Sequence, residues 1–97
     1  MTVEEMKALF VKYDDEYIAF GRVENKRSQR PDIHAFILLD ALVPGDRDIV
    51  CSSEHDEIYL EVEPEALAAV ATKEQIIELI RCGVRIDEEV NSLAMFV

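Results

Sequence analysis

His55-Asp56-Glu57 sets an imidazole beside two carboxylates. Such a set could hold a metal ion or relay a proton. Spacing works against both uses. Adjacent residues on a strand point to opposite faces, so only His55 and Glu57 would converge, and they would need His34 or Cys51 to complete a site. A polar hairpin loop, with the aspartate fixing the turn, explains the triplet more simply. His34 sits among apolar neighbours near the start of an expected helix, where a histidine with one satisfied nitrogen is commoner than a ligand. Ser52-Ser53 has no glycine elbow and no histidine–acid pair around it. Gly21, Gly45 and Gly83 stand alone and build no phosphate cradle. The sequence therefore assigns no catalytic residue, no metal ligand and no cofactor.

The richer chemistry is electrostatic. Residues 54–65 hold six acids and no base. Within them Glu57, Tyr59, Glu61 and Glu63 fall at two-residue steps, roughly 6.7 Å along a strand. A tyrosine set among carboxylates suits an anchor for a basic protein. A sharper version of the idea makes the row a decoy for DNA, although phosphates recur at roughly 3.4 Å per strand and the match is loose. The plainer reading is a solvated strand face that keeps the chain soluble. Arg22, Lys26, Arg27 and Arg30 form the chain's basic concentration. That loop could meet the acidic half of a second copy, or it could simply be a solvated loop.

These residues need elements to position them. Thr2 with Glu5 has the pattern of a capping box. Met6, Leu9, Phe10, Tyr13, Tyr17 and Phe20 follow at steps of three and four. The preferred reading is one helix over residues 3–20, stopped by Gly21. The rival is a helix ending at Lys12, a turn at Asp14-Asp15 and a strand from Tyr17 to Val23. Pro31 and Asp32 suit the first turn of a second helix, and Ile33 to Val43 is a buried helical run ended by Pro44-Gly45. From Glu57 the chain alternates, with Ile58, Leu60 and Val62 on one face and Glu57, Tyr59, Glu61 and Glu63 on the other. Residues 48–53 are expected to pair with it across a tight loop. Pro64 opens a short helix through Ala71. Thr72 with Gln75 is a second capping box, leading Ile76, Ile77 and Ile80 inward until Gly83. Val84 to Ile86 and Leu93 to Val97 read as two short strands around Asp87-Glu88-Glu89.

Composition bounds the rest. The 97 residues carry 21 acids against ten Lys and Arg, a net charge of −11, while 49% are hydrophobic. So acidic a chain repels itself, and a periodic apolar half is what can hold it compact. Residues 1–50 carry a net −3 and residues 51–97 a net −8. Direct nucleic-acid binding and anionic membrane surfaces are disfavoured, because both need a basic footprint. Cys51 and Cys82 fit no paired or zinc spacing and are expected as reduced, buried thiols. Together with an acidic opening unlike a secretory segment, they point to a cytoplasmic protein.

The expectation is a single α+β domain over residues 1–97, in which an antiparallel or mixed sheet of about four strands is packed on one face by helices. The expected core is Leu9, Phe10, Tyr13, Phe36, Ile37, Leu38, Ile58, Leu60, Val62, Leu67, Ile76, Ile77, Ile80, Leu93 and Phe96. The functional expectation is a non-enzymatic binding module or inhibitor that engages a basic partner through Glu57, Tyr59, Glu61 and Glu63. The alternatives are a self-assembling protein, such as a homodimer, or a small metal-binding protein.

Overall fold

Thr2 starts the first helix with a reciprocal pair of hydrogen bonds. Its hydroxyl accepts the Glu5 N–H at 3.1 Å, and the Glu5 carboxylate accepts the Thr2 N–H at 2.8 Å. The second bond holds the Glu5 carboxyl below its ordinary pKa. The computed structural model describes all 97 residues, and in it helix α1 (Val3–Lys12) ends at Lys12 instead of running on to Phe20. Two 3-10 turns follow, Asp14–Glu16 and Phe20–Arg22, and no strand forms between Tyr17 and Val23. The reason lies in Asp14-Asp15-Glu16. Three carboxylates would stack on the negative end of the helix dipole, and aspartate prefers turns to helix interiors. Tyr13, Tyr17 and Phe20 keep the phase of the stripe because they pack on the core from the turns, beside Leu9 and Phe10 from the helix.

Glu16 fixes the path of that segment. It is 9% exposed, and its carboxylate accepts from Arg81 Nε at 2.7 Å and Arg22 Nη1 at 2.5 Å. Ile18 follows with φ of 57°, a left-handed conformation that a β-branched residue rarely adopts, and its N–H reaches the Ile80 carbonyl at 3.2 Å.

Helix α2 (Pro31–Leu42) begins on its proline, as expected, and buries His34, Ala35 and Leu39. After it come β1 (Val50–Glu54), β2 (Glu57–Leu60), α3 (Pro64–Val70), α4 (Lys73–Arg81), β3 (Arg85–Asp87) and β4 (Ser92–Phe96). Thr72 and Gln75 cap α4 reciprocally at 2.9 and 3.2 Å. Gly83 ends α4 at φ of 95°, while its own N–H bonds Ile80 O and the Val84 N–H bonds Leu79 O. That is a Schellman close, and a residue with a Cβ is strained at this φ.

The sheet is antiparallel throughout, in the order β1-β2-β4-β3. β1 and β2 form a hairpin with His55-Asp56 as its two-residue loop, and His55 takes the positive φ of 56° that tight hairpin loops require. The ladder of β2 ends at Leu60, short of the expected Glu63. Glu61 still donates to Ile49 O at 2.7 Å, but the Val62 N–H folds back to Leu60 O, and Pro64 opens the next helix. Burial continues to alternate past the ladder: Leu60, Val62 and Pro64 are buried, Glu61 and Glu63 exposed.

One cluster unites helices and sheet, joining Met6, Leu39, Leu67, Ile76, Leu79 and Ile80 to Leu60, Leu93 and Met95. Each such side chain, fully buried, contributes on the order of 1.5–3 kcal/mol before entropy is charged. The molecule is thus an α+β domain in which a four-stranded antiparallel sheet shares its core with four helices. Of the expected core, Leu60, Val62, Leu67, Ile76, Ile80 and Leu93 are buried, and Leu9, Phe10, Tyr13, Phe36, Leu38 and Ile58 pack partly buried around them. Three residues depart from expectation. Ile37 is exposed because α2, apolar on nearly every side, turns only its Ala35–Leu39 stripe inward. Ile77 is half-buried because Leu79 takes the place beside Ile76 and Ile80. Phe96, 54% exposed, lies on the outer face of β4.

Candidate functional site on the outer sheet face

Antiparallel register decides which side chains share a face. Ile58 pairs with Met95, and Leu60 with Leu93, which in turn pairs with Ile86. These turn toward the helices. The opposite face therefore carries Glu54, Glu57 and Phe96 in one row and Ser52, Tyr59, Ala94 and Arg85 in the next. Ala94 is fully buried because its cross-strand neighbours, Tyr59 and Arg85, cover it.

Tyr59 is the centre of this outer face. Its hydroxyl donates to Glu57 Oε2 at 3.3 Å. Partial burial raises its pKa, and the carboxylates of Asp87, Glu54 and Glu89 raise it further. The phenol thus stays protonated among four acids drawn from two different turns of the sheet. Glu57 is not a free charge: it forms an ion pair with Arg85, whose guanidinium lies 4.4 Å from the centre of the Phe96 ring.

The expected row divides in two at the end of β2. Glu57 and Tyr59 stand together on the sheet. Glu61 and Glu63 instead line a cleft with Asp40, Asp46 and Arg47, where Glu61 Oε1 lies 3.6 Å from Arg47 Nη1. The structure replaces them around Tyr59 with Asp87 and Glu89. The sequence showed those two as an acidic turn, but nothing in its period places β3 two strands from β2.

The other candidates fall into place around this face. His55 occupies the hairpin loop and Glu57 is held by Arg85, so the His55-Asp56-Glu57 triplet does not close on a common point. No three His, Cys, Asp or Glu side chains gather closely enough to hold a metal ion. His34 is buried with both nitrogens engaged. Nδ1 accepts the Arg27 N–H at 3.0 Å, which puts the ring proton on Nε2, 2.6 Å from Glu78 Oε2. That imidazole locks the basic loop to α4 and is not free to activate Ser52 or Ser53 on β1. In the loop itself Arg22 is committed to Glu16, and Lys26 donates to Val23 O at 2.9 Å with its ammonium 5.1 Å from the Phe20 ring centre.

Cys82 is buried, and burial, with Glu78 adding to it, pushes its thiol up to about 12. Cys51 corrects the expectation of two buried thiols. It is exposed because the register slips between Val50 and Ser52, leaving it on a bulge of an edge strand that no element covers. Its Sγ donates to Tyr59 O at 3.4 Å. Comparison with protein-family models, with curated proteins and with solved structures returns no match.

Proposed function

We propose that this protein is a non-enzymatic binding module whose outer sheet face engages a basic partner. Inhibitors that occupy the nucleic-acid-binding cleft of another protein belong to the same class. The observation that carries the reading is Tyr59, half-buried on a face turned away from the helices and framed by Glu54, Glu57, Asp87 and Glu89. A protonated phenol offers a flat apolar body and a donor, and the surrounding carboxylates steer a cation toward it. The row first read from sequence supplies Glu57 and Tyr59 to this surface, while Glu61 and Glu63 extend the acidic field beyond the strand's end.

The test is affinity capture from the native host with the wild-type chain and with a Glu54→Lys/Glu89→Lys variant. Glu57 is left intact, since reversing it would strand Arg85. Wild type should retain a basic protein at low salt and lose it as salt approaches the range where the screening length is about 10 Å. The variant should retain none at an unchanged thermal midpoint. Equal capture by both proteins contradicts the reading.

A second reading rests on β1, which forms an edge of the sheet and is exposed along its whole length. Open edges pair with other strands, and a second copy would serve. The bulge at Cys51 and the net charge of −11 both oppose such pairing. Light scattering at low salt decides it, and a monomer removes the option.

A further inference from the structure

A cleft of about 800 Å³ opens between the C-terminal half of α1 with the turn after it and the edge strand β3 with the turn beyond. Its floor is apolar, from Phe10, Tyr17, Val84 and Ile86. Its lips are apolar as well: Val11 is 74% exposed and Phe96 54%. Four carboxylates, Asp14, Asp87, Glu88 and Glu89, stand on its walls against two cations, Lys7 and Arg85, and Arg85 is already paired with Glu57. Asp87, Glu89, Arg85 and Phe96 belong equally to the surroundings of Tyr59, so the cleft continues the outer sheet face around its edge.

We infer that this cleft receives an amphipathic basic helix from the partner. An apolar stripe at helical spacing seats against Phe10, Val11, Ile86 and Phe96, and flanking lysines or arginines meet Asp14, Glu88 and Glu89. This is the helix-in-groove mode, in which the groove supplies the burial and the rim charges set the partner's sign. The cleft adds apolar contact that exposed carboxylates alone lack, since pairs between solvated charges contribute little. The inference rests on the reading of this protein as a module for basic partners, and it identifies the partner's recognised element.

The experiment is an amide-resolved NMR titration of the full chain with a Leu/Lys peptide about 18 residues long, its leucines at helical spacing, at roughly 50 mM salt. A Ser/Lys peptide of equal charge serves as the comparison. Shifts at Phe10, Val11, Asp14, Ile86 and Glu88 are expected, with affinity at least about tenfold below that level for the Ser/Lys peptide. Val11→Glu should weaken the Leu/Lys peptide about tenfold, and Glu88→Lys/Glu89→Lys should do the same. Both substitutions lie at exposed positions, and thermal midpoints verify folding. Shifts confined to Ser52, Glu54 and Tyr59, or unchanged affinity in either variant, overturn the cleft as the site and leave the acidic module standing. Absence of binding by both peptides up to about 1 mM overturns the cleft and the module together.

Discussion

Glu16 remains ionised in a nearly buried position because two guanidiniums meet it. The hydrogen bond from Arg81, with the charges of Arg22 and Arg81, holds its carboxyl below the ordinary value of 4.5 despite the opposing effect of burial. A lowered folded-state pKa gives stability that is fully present above the unfolded value and is lost as pH falls through the folded one. Acid titration of the thermal midpoint should therefore show a falling limb below about pH 4.5. Glu16→Gln should lower the midpoint at neutral pH and flatten that limb. An unchanged limb in the variant means other carboxylates carry it. The two thiols should separate just as clearly. Cys82, pushed up to about 12 and buried, should resist a disulfide reagent until the chain unfolds. Cys51 should react in the folded protein, though more slowly than free cysteine, since partial burial and then Glu61 raise its thiol too. Two equally fast thiols would contradict the burial of Cys82.

Elements marked by local chemistry were legible in the sequence. The capping boxes at Thr2 and Thr72, Pro31 at a helix start, Gly83 at a helix end and the alternation from Glu57 all appear where their residue types require them. What failed was whatever a distant partner decides. The path of the chain beyond α1 is held by Glu16 reaching Arg81, 65 residues away in sequence, and an apolar stripe carries no sign of that pull. Glu57 reads as solvent-facing until strand order brings Arg85 to it. Candidate site residues were thus half legible, with alternation finding Glu57 and Tyr59 and topology adding Asp87 and Glu89. Local chemistry can be tested by itself. Thr72→Ala removes the hydroxyl that accepts the Gln75 N–H and should cost about 1 kcal/mol in denaturant unfolding. A loss below a few tenths of that figure would show that packing of Ile76, Leu79 and Ile80 alone sets the start of α4.

At the scale of the whole molecule, a net charge of −11 on 97 residues opposes compaction, with the excess concentrated in residues 51–97. Four ion pairs offset part of it, at Glu16 (twice), Glu61 and Glu57. Most carboxylates remain unpaired, so salt should raise the thermal midpoint between about 10 mM and 0.2 M by screening their repulsion. A flat response would mean that the remaining charges are too far apart to matter. The same excess charge is what the proposed docking uses, because a basic partner relieves it.

Hydrogen–deuterium exchange of the protein alone and with its captured basic partner tests the central claim most directly. New protection at Ser52, Tyr59 and Asp87, on the sheet face turned away from the helices, is the outcome this account requires. Protection confined to α2, α3 and α4, with those three amides exchanging as before, would place the partner elsewhere and contradict it.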